Sequence, residues 1–270
     1  MYKLAVFDLD GTLLNSNHQI SNENLEAINL LRENNIRVVI ATGRTNDLIK
    51  PYLKVLKISD EVITCNGAVI GHPSNDTMMY EDIIPANELR QVLEMCIKNE
   101  HQFLIYTSKA IVARLNDVNI FLKEKNIKTS DAFDANIIIV ENIEDIINNY
   151  NVNKILIIER NEEKFAELNK EVQKFNNVEY TQSSNSFIDI LPINNSKGKA
   201  VKILCEKFGY ELEEVIVFGD QMNDISMMKV AGFSVAMANA RDEVKENADF
   251  VTLSNNESGV AYAIKTKILK

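Results

Sequence analysis

The chain alternates short apolar runs with segments in which apolar residues recur at helical spacing. The runs 4–7, 36–41 and 215–218 are almost entirely apolar, as in strands that are buried on both faces of a parallel sheet. Between them, spacings of three and four residues predict helices, and Ser21 is placed to cap the first one. Strands and helices alternate at both ends of the chain, which predicts an α/β fold with a parallel sheet.

The order of predicted elements changes in the middle of the chain. The turn residues 71–76 predict a hairpin tip, and beyond Asp82 hairpins and helices are mixed. We interpret residues 83–190 as an inserted α+β cap domain with its own antiparallel sheet, and 1–82 with 191–270 as a discontinuous core domain. Within the insert we predict helices over 87–98 and 162–175, a helix after residue 114, and strands over 103–106, 111–114, 137–140, 155–158, 178–181 and 187–190.

Two carboxylates stand where the first predicted strand ends. Asp8 and Asp10 follow the run 4–7, and side chains at positions i and i+2 of an extended segment project to the same side. Ligands of open α/β sheets bind outside the carboxyl ends of the strands. Like charges this close raise each other's pKa unless a cation offsets them. A hard divalent cation bound by oxygen ligands is the natural offset, and we expect Mg²⁺. Taken alone, the segment from Asp8 to Thr12 is equally typical of an ordinary turn.

A hydroxyl and a glycine follow the second predicted strand. Thr42 and Gly43 come directly after the run 36–41. A glycine lets the backbone approach a ligand closely, and the Thr42 hydroxyl with nearby N–H groups can donate to phosphate oxygens. The position is therefore a candidate phosphate site, although a strand end followed by an exposed Arg44 has the same pattern.

Two later segments add a cation and more carboxylates. Lys197 opens a helical pattern, where the helix dipole favours anions, so this cation is better explained by a bound phosphate or a carboxylate cluster. Asp220 follows the run 215–218 and adds a third carboxylate to complete an oxygen shell for a metal. Asn223 and Asp224 start the next helix, where they can cap it and contact a ligand or metal-bound waters.

Composition narrows the class of partners. The chain has 270 residues, 46% of them hydrophobic, and a net charge of -10, which suits two domains and argues against nucleic-acid backbones as partners. No apolar stretch is long enough to span a bilayer, and the first predicted strand leaves no room for a signal peptide. These features predict a cytoplasmic protein without membrane contact, and the sequence leaves open whether it is a monomer or a dimer. We expect buried, reduced thiols at Cys65, Cys96 and Cys205 and solvated side chains at His18, His72 and His101.

Taken in order, four segments resemble the motifs of the haloacid dehalogenase superfamily of phosphohydrolases. They are Asp8 to Thr12, Thr42 with Gly43, Lys197, and Gly219 to Asp224. The resemblance spans nearly the whole chain and implies a Rossmann-like core. The long insertion, with Asn66 and Gly67 after the third core strand, resembles the Cof-type branch with a large α+β cap. Gln221 departs from the pattern, because many members have a small residue there, and we expect its side chain to point away from the metal.

The resemblance implies a role for each matching residue. Asp8 would be the nucleophile that forms an aspartyl-phosphate, and Asp10 the general acid and then the general base. Mg²⁺ would be held by Asp8, the backbone carbonyl of Asp10 and Asp220, with Asp224 orienting these groups from outside. The phosphoryl group would be bound by the N–H of Leu9 and by Thr42, Gly43, Lys197 and Asn223. The candidate substrate contacts are Arg44, which alternatively braces its loop, Asn66 and Gly67, with Lys109, Arg114 and Asn185 as weaker candidates in the cap.

These roles predict a Mg²⁺-dependent phosphomonoester hydrolase acting on a small phosphorylated metabolite, with a sugar phosphate as the leading hypothesis. The same aspartyl-phosphate can be passed to a sugar hydroxyl, so a phosphomutase remains an alternative. A non-catalytic phosphometabolite-binding protein is a third hypothesis. The complete set of Asp8, Asp10, Lys197 and Asp220 argues against it. Glycoside hydrolysis by Asp8 and Asp10 would need neither Lys197 nor Asp220.

Overall fold

The computed structural model describes residues 1–73, 77–115, 117–118 and 136–269. Its strands are β1 Leu4–Phe7, β2 Arg37–Ile40, β3 Val62–Thr64, β4 Val69–Gly71, β5 Met78–Glu81, β6 Gln102–Tyr106, β7 Ile111–Ala113, β8 Ile137–Ile139, β9 Lys154–Ile158, β10 Val178–Ser184, β11 Phe187–Pro192, β12 Val215–Gly219, β13 Phe233–Ala236 and β14 Phe250–Val251. Its α-helices are α1 Asn22–Glu33, α2 Asn46–Leu56, α3 Ala86–Lys98, α4 Ile143–Asn149, α5 Glu162–Val172, α6 Lys197–Phe208, α7 Ile225–Met228, α8 Asp242–Glu246 and α9 Gly259–Ala263.

The core is a parallel five-stranded sheet in the order β14-β13-β12-β1-β2, as the buried apolar runs predict. The register places Phe7 opposite both Phe218 and Ile40, so the strands β1, β2 and β12 end at the same edge. The rings of Phe7 and Phe218 stack with their centroids 4.6 Å apart, which locks this register by packing. Because parallel strands present their carboxyl ends together, the polar residues that follow them share one edge of the sheet.

Helices cover both faces of the core sheet, which confirms the α/β prediction. Alternate residues of β1 enter different cores, with Ala5 beside α1 and α9 and Leu4 beside α6. Helix α1 starts where expected, because the Ser21 hydroxyl accepts a hydrogen bond from the Asn24 N–H at 3.2 Å. Helix α2 begins before Pro51 and continues through it to Leu56.

A small antiparallel sheet, β3-β4-β5, leads from the core to the inserted segment. It joins the core through a parallel bridge between Ala41 and Ile63. The predicted hairpin tip between β4 and β5 lies partly outside the described residues, at 74–76. The turn Cys65–Gly67 connects β3 to β4 and carries Asn66 to the sheet edge at which β1 and β2 end. This connection is what brings a third strand end into the site.

The inserted segment, which we call the cap, contains a six-stranded sheet in the order β10-β11-β9-β6-β7-β8. One face packs under α3, α4 and α5, and the other places Leu104 and Leu156 against Cys65 and Val69 of the core. Two details correct the prediction: β7 and β8 are parallel to each other, and α4 was not expected. The helix predicted after residue 114 lies largely outside the described residues.

The division at Asp82 and residue 191 stays a prediction, and β11 continues through Leu191 to Pro192. Among the helices that the structure describes, none combines the length and the apolar composition needed to cross a bilayer.

The three cysteines and His101 are all buried. All three cysteines are free and buried, as expected, and burial raises the pKa of Cys65 to about 12 and that of Cys205 to about 11. The prediction for His101 was wrong. This side chain is buried in the cap, with Nδ1 2.9 Å from Glu159 Oε2, because β6 and β9 pair antiparallel where the two residues lie.

Candidate active site

Three buried carboxylates meet at the carboxyl edge of the core sheet. Asp8 follows β1, Asp220 follows β12, and Asp224 ends the short turn Met222–Asp224 that follows. One oxygen atom of each lies within 4.8 Å of the others. Residues that are more than two hundred positions apart in sequence therefore form one cluster, because β1 and β12 are neighbours in the sheet.

Lys197 supplies the positive charge of this cluster. It is the first residue of α6, its side chain is fully buried, and its Nζ lies 2.6 Å from Asp8 Oδ1 and 2.6 Å from Asp224 Oδ1. Burial by itself would lower the pKa of this lysine, but the two carboxylates outweigh burial and raise it. The cation at a helix N-terminus is thus explained by the carboxylates that it contacts.

The cluster carries more negative than positive charge. Burial and the nearby Asp224 together raise the pKa of Asp220 to about 7, and burial raises the pKa of Asp8 well above its usual range. Gln221 Oε1 is buried beside Asp220 and makes no hydrogen bond within the described residues. Carboxylate oxygens in excess and an unpartnered amide oxygen are the donors that a hard divalent cation or its bound waters use. The residues present therefore fit a metal ion such as Mg²⁺.

Hydrogen bonds hold the Asp220 carboxylate in one orientation. The Thr12 hydroxyl donates to Oδ1 at 2.8 Å, and the Gln221 side-chain amide donates to Oδ2 at 3.0 Å. We expected the Gln221 side chain to point away from the metal site, and this expectation was wrong. Its backbone N–H donates to Asp224 Oδ2, which leaves the side chain against Asp220. Gly11, at φ +82°, has no room for a Cβ, which would lie 2.3 Å from Asp220 Oδ2.

Asp224 is saturated by donors from three directions. Its Oδ1 contacts Lys197, and its Oδ2 accepts the backbone N–H groups of Asp220 and Gln221 at 2.9 and 3.0 Å. Its side chain thereby fixes the loop that carries Asp220. The adjacent Asn223 donates from Nδ2 to Asn66 Oδ1 at 2.9 Å.

Asp10 lies at the open side of the site and pairs with Arg44. The guanidinium donates from Nε to Oδ2 at 2.8 Å and from Nη2 to Oδ1 at 2.5 Å, a two-point contact that sets the plane of the carboxylate. The Asp10 side chain is 39% exposed, in contrast to the buried Asp8. In this structure Arg44 therefore holds the Asp10 carboxylate in place.

The loop after β2 is built for close contacts. Thr42 is buried, and its Oγ1 accepts the Arg44 N–H at 3.2 Å, so its own hydrogen can point to another acceptor. A Cβ at Gly43 would lie 2.9 Å from Asn66 Oδ1. The Leu9 side chain is buried in the core, and its carbonyl oxygen accepts the Leu14 N–H at 2.9 Å, which curls the loop after β1.

The turn after β3 has an unusual backbone. Cys65, Asn66 and Gly67 have φ values of +50°, +56° and +101°, and such a run costs free energy unless surrounding contacts maintain it. A Cβ at Gly67 would lie 2.3 Å from the Ser196 carbonyl oxygen, so glycine allows the turn to pack on the loop before Lys197. The turn thereby brings the Asn66 side chain within hydrogen-bond distance of Asn223.

Two charged cap residues contact the site and were missed in the sequence. Lys154 opens β9 and Asp189 lies in β11, with side chains only 4% and 1% exposed. A charge inside an otherwise apolar strand, such as the aspartate of Phe187–Pro192, was the signal that could have found them. Of the weaker cap candidates, Arg114 pairs with Asp117. Asn185 accepts a hydrogen bond from Arg241, and Lys109 lies in the turn before β7.

A parallel-sheet core, a cap, and a cluster of carboxylates around a buried lysine define the class of capped phosphohydrolases. The model of the family described as haloacid dehalogenase-like hydrolase matches residues 5–264, and the chain belongs to this family. Phosphatase YwpJ of Bacillus subtilis (strain 168) is 30% identical, over 97% of this chain and 99% of that protein.

Two further relatives carry more specific descriptions. The 5-amino-6-(5-phospho-D-ribitylamino)uracil phosphatase YwtE of Bacillus subtilis (strain 168) is 32% identical, over 97% of this chain and 96% of that protein. The solved structure of a sugar phosphatase of subclass IIB superposes with a TM-score of 0.85 at 27% identity, covering 97% of this chain and 98% of that one. The chain is accordingly a Cof-type phosphatase that acts on phosphorylated substrates.

Proposed function

We propose that the protein is a Mg²⁺-dependent phosphomonoesterase that works through an aspartyl-phosphate on Asp8. The observation that carries this proposal is the placement of Asp8, a buried carboxylate held by Lys197 at 2.6 Å within a cluster that has an excess of negative charge. Asp8, Asp220 and the backbone carbonyl of Asp10 would hold the metal. When bound, the metal offsets the charges of the carboxylates and of the phosphoryl oxygens.

The chemistry divides between Asp8 and Asp10. A carboxylate oxygen of Asp8 forms a bond to phosphorus while the bond to the leaving alcohol oxygen breaks, and Asp10 gives its proton to that oxygen. Asp10 then takes a proton from the water that attacks phosphorus and releases phosphate from Asp8. The contrast in exposure supports this division, since the open side of the site, where Asp10 lies, is where alcohol and water must enter.

The groups around Asp8 suit a phosphoryl group. The Thr42 hydroxyl has its hydrogen available, Lys197 carries a positive charge, and Gly43 lets the backbone approach closely. Asn223 and the N–H of Leu9 complete the proposed set. Asp224 is assigned an orienting role, because both of its oxygens already accept hydrogen bonds from the protein.

We propose a small phosphorylated metabolite as the substrate, with a sugar phosphate as the first class to test. The cap supports this choice, because an apolar face of its sheet packs against the core next to the turn that carries Asn66. The names of the two relatives described above, a sugar phosphatase and a ribitylaminouracil phosphatase, also refer to small phosphate esters. A cytoplasmic location stays a prediction from composition.

The test is phosphate release from a panel of sugar phosphates, nucleotides and vitamin phosphates, with Mg²⁺ and with a chelator. We expect release that requires Mg²⁺ and is lost in Asp8→Asn. Release that persists in the variant would contradict the covalent mechanism. A phosphorylated product formed from a sugar acceptor, in place of free phosphate, would instead indicate the mutase reaction.

A further inference from the structure

Two charged residues of the cap are buried where the cap meets the core. Lys154 Nζ lies 2.8 Å from Asp189 Oδ1 and 4.0 Å from the centre of the Tyr106 ring. The contact with Asp189 is an ion pair, since its angles are not those of a hydrogen bond. Both residues lie on the face of the cap sheet that packs against the core. Burying two charges in an apolar interface gains little stability by itself, so the pair calls for a further explanation.

The first contact of this pair reaches the loop after β2. Lys154 Nζ donates to the Gly43 carbonyl oxygen at 2.7 Å. In a trans peptide the N–H of the next residue points away from that carbonyl. This N–H, of Arg44, donates to Thr42 Oγ1 and so determines where the Thr42 hydroxyl hydrogen can point. Lys154 therefore acts on the Thr42 hydroxyl through one peptide plane.

The second contact reaches the loop after β12. Asp189 Oδ2 accepts a hydrogen bond from Asn66 Nδ2 at 3.0 Å, and Asn66 Oδ1 accepts one from Asn223 Nδ2 at 2.9 Å. The orientation of the Asn66 amide is thus set from both sides. The left-handed backbone of Cys65–Gly67 places Asn66 where it can make both hydrogen bonds.

We propose that the Lys154–Asp189 ion pair of the cap positions Thr42 and Asn223 for phosphate binding through these two hydrogen-bonded branches. Lys154 and Asp189 are positioning residues, since they contact the backbone of Gly43 and the side chain of Asn66 and act on the phosphate through them. Closure of the cap and assembly of the phosphate site are then one event. This inference rests on the proposed function, because it takes Thr42 and Asn223 as phosphate ligands.

The test replaces the pair by apolar side chains. In Lys154→Met/Asp189→Leu no charge is left unpaired, so the variant is expected to fold. Calorimetric titration with inorganic phosphate in the presence of Mg²⁺ should give a Kd at least tenfold above that of the wild-type protein. With a hydrolysed substrate, KM should rise at least tenfold while kcat changes less than threefold, because the lost contacts serve ground state and transition state alike.

A matched pair of carboxyl-to-amide changes separates positioning from general cap stability. Asp189→Asn keeps the shape of the side chain and should raise the Kd for phosphate at least fivefold, and this variant also serves if the double variant does not fold. Glu159→Gln makes the same change in the cap sheet at a carboxylate that contacts His101, and should leave Kd and KM unchanged. In these titrations the stoichiometry counts folded molecules, whereas Kd reports the site itself.

The outcomes distinguish the two proposals. Wild-type protein that neither binds phosphate nor releases it from any substrate would overturn the proposed function and this inference with it. Wild-type protein that binds phosphate, with Asp189→Asn and the double variant binding equally well, would overturn the inference alone. A lower kcat or lower melting temperature with unchanged KM would also overturn it, because a structural role of the pair predicts that pattern.

Discussion

The core and the cap each contain a buried lysine beside carboxylates, but the number of carboxylates differs. In the core, Lys197 forms ion pairs with Asp8 and Asp224, and Asp220 belongs to the same cluster. In the cap, Lys154 forms an ion pair with Asp189. Both lysines are almost completely buried.

The ratio of charges indicates what each group needs. Three carboxylates and one ammonium group form this buried site. Burial first, and the neighbouring carboxylates in addition, raise the pKa values of Asp8 and Asp220, and a divalent cation suits such a cluster. The cap pair is balanced and needs no ion. Lys154 also donates to the Gly43 carbonyl oxygen, and Asp189 accepts a hydrogen bond from Asn66. The pair therefore holds neighbouring groups of the core in place and does not bind a ligand itself.

The largest effect is expected at the nucleophile. Asp8→Asn should lower turnover by about 10⁴-fold or more, because an amide cannot form the acyl phosphate. The fold should persist, since Lys197 retains its contact with Asp224. Phosphate release and the melting temperature are the two measurements, and wild-type turnover in the variant would remove the proposed covalent step.

Removing the core lysine tests how strongly the cluster depends on its one cation. Lys197→Met should destabilise the protein by about 3–5 kcal/mol, because it leaves buried carboxylates uncompensated. Urea unfolding at neutral pH without metal measures this loss. A change below about 1 kcal/mol would show that the carboxylates are already protonated or hydrated in the folded state.

Metal binding should stabilise the core and depend little on the cap pair. At a Mg²⁺ concentration one hundred times its Kd, we expect about 2.7 kcal/mol of added stability, which a chelator removes. Asp220→Asn should abolish most of this gain, whereas Lys154→Met/Asp189→Leu should keep it. Loss of the gain in the cap variant would contradict the division of roles between the two buried lysines.

The smallest expected effect is on the stability of the protein at low pH, and it concerns Asp82, which lies where the core leads into the cap. Burial alone would raise the pKa of Asp82, but hydrogen bonds from Tyr80 and Lys199 lower it below its usual value. Because the folded pKa is the lower one, the stabilisation is present above the unfolded pKa of about 3.9 and is lost as the pH falls through the folded value.

The measurement is the melting temperature of the wild-type protein and of Asp82→Asn between pH 6 and pH 3. The wild-type protein should lose slightly more stability on acidification than the variant, and the difference should be small because the side chain is partly exposed. Parallel curves for the two proteins would mean that the contacts of Asp82 add nothing.

Much of the core site could be predicted because its residues follow strands. Asp8, Thr42 and Asp220 each come directly after an apolar run, and neighbouring parallel strands bring such positions together whatever the rest of the chain does. Lys197 was predictable from its conflict with the helix dipole. Gln221 was misjudged, because the side-chain direction depends on Asp224, a residue that holds its backbone.

The sequence by itself determined the α/β core and the edge of the sheet at which Asp8, Thr42 and Asp220 come together, since these follow from the period of burial and from local strand ends. Only the tertiary structure decided that Lys154 reaches Gly43 and that Asp189 reaches Asn66, across 111 and 123 positions of the chain. An apolar strand with one charge shows that the charge is buried. Which partner compensates it depends on how the core and cap sheets face each other, and no local pattern encodes that packing.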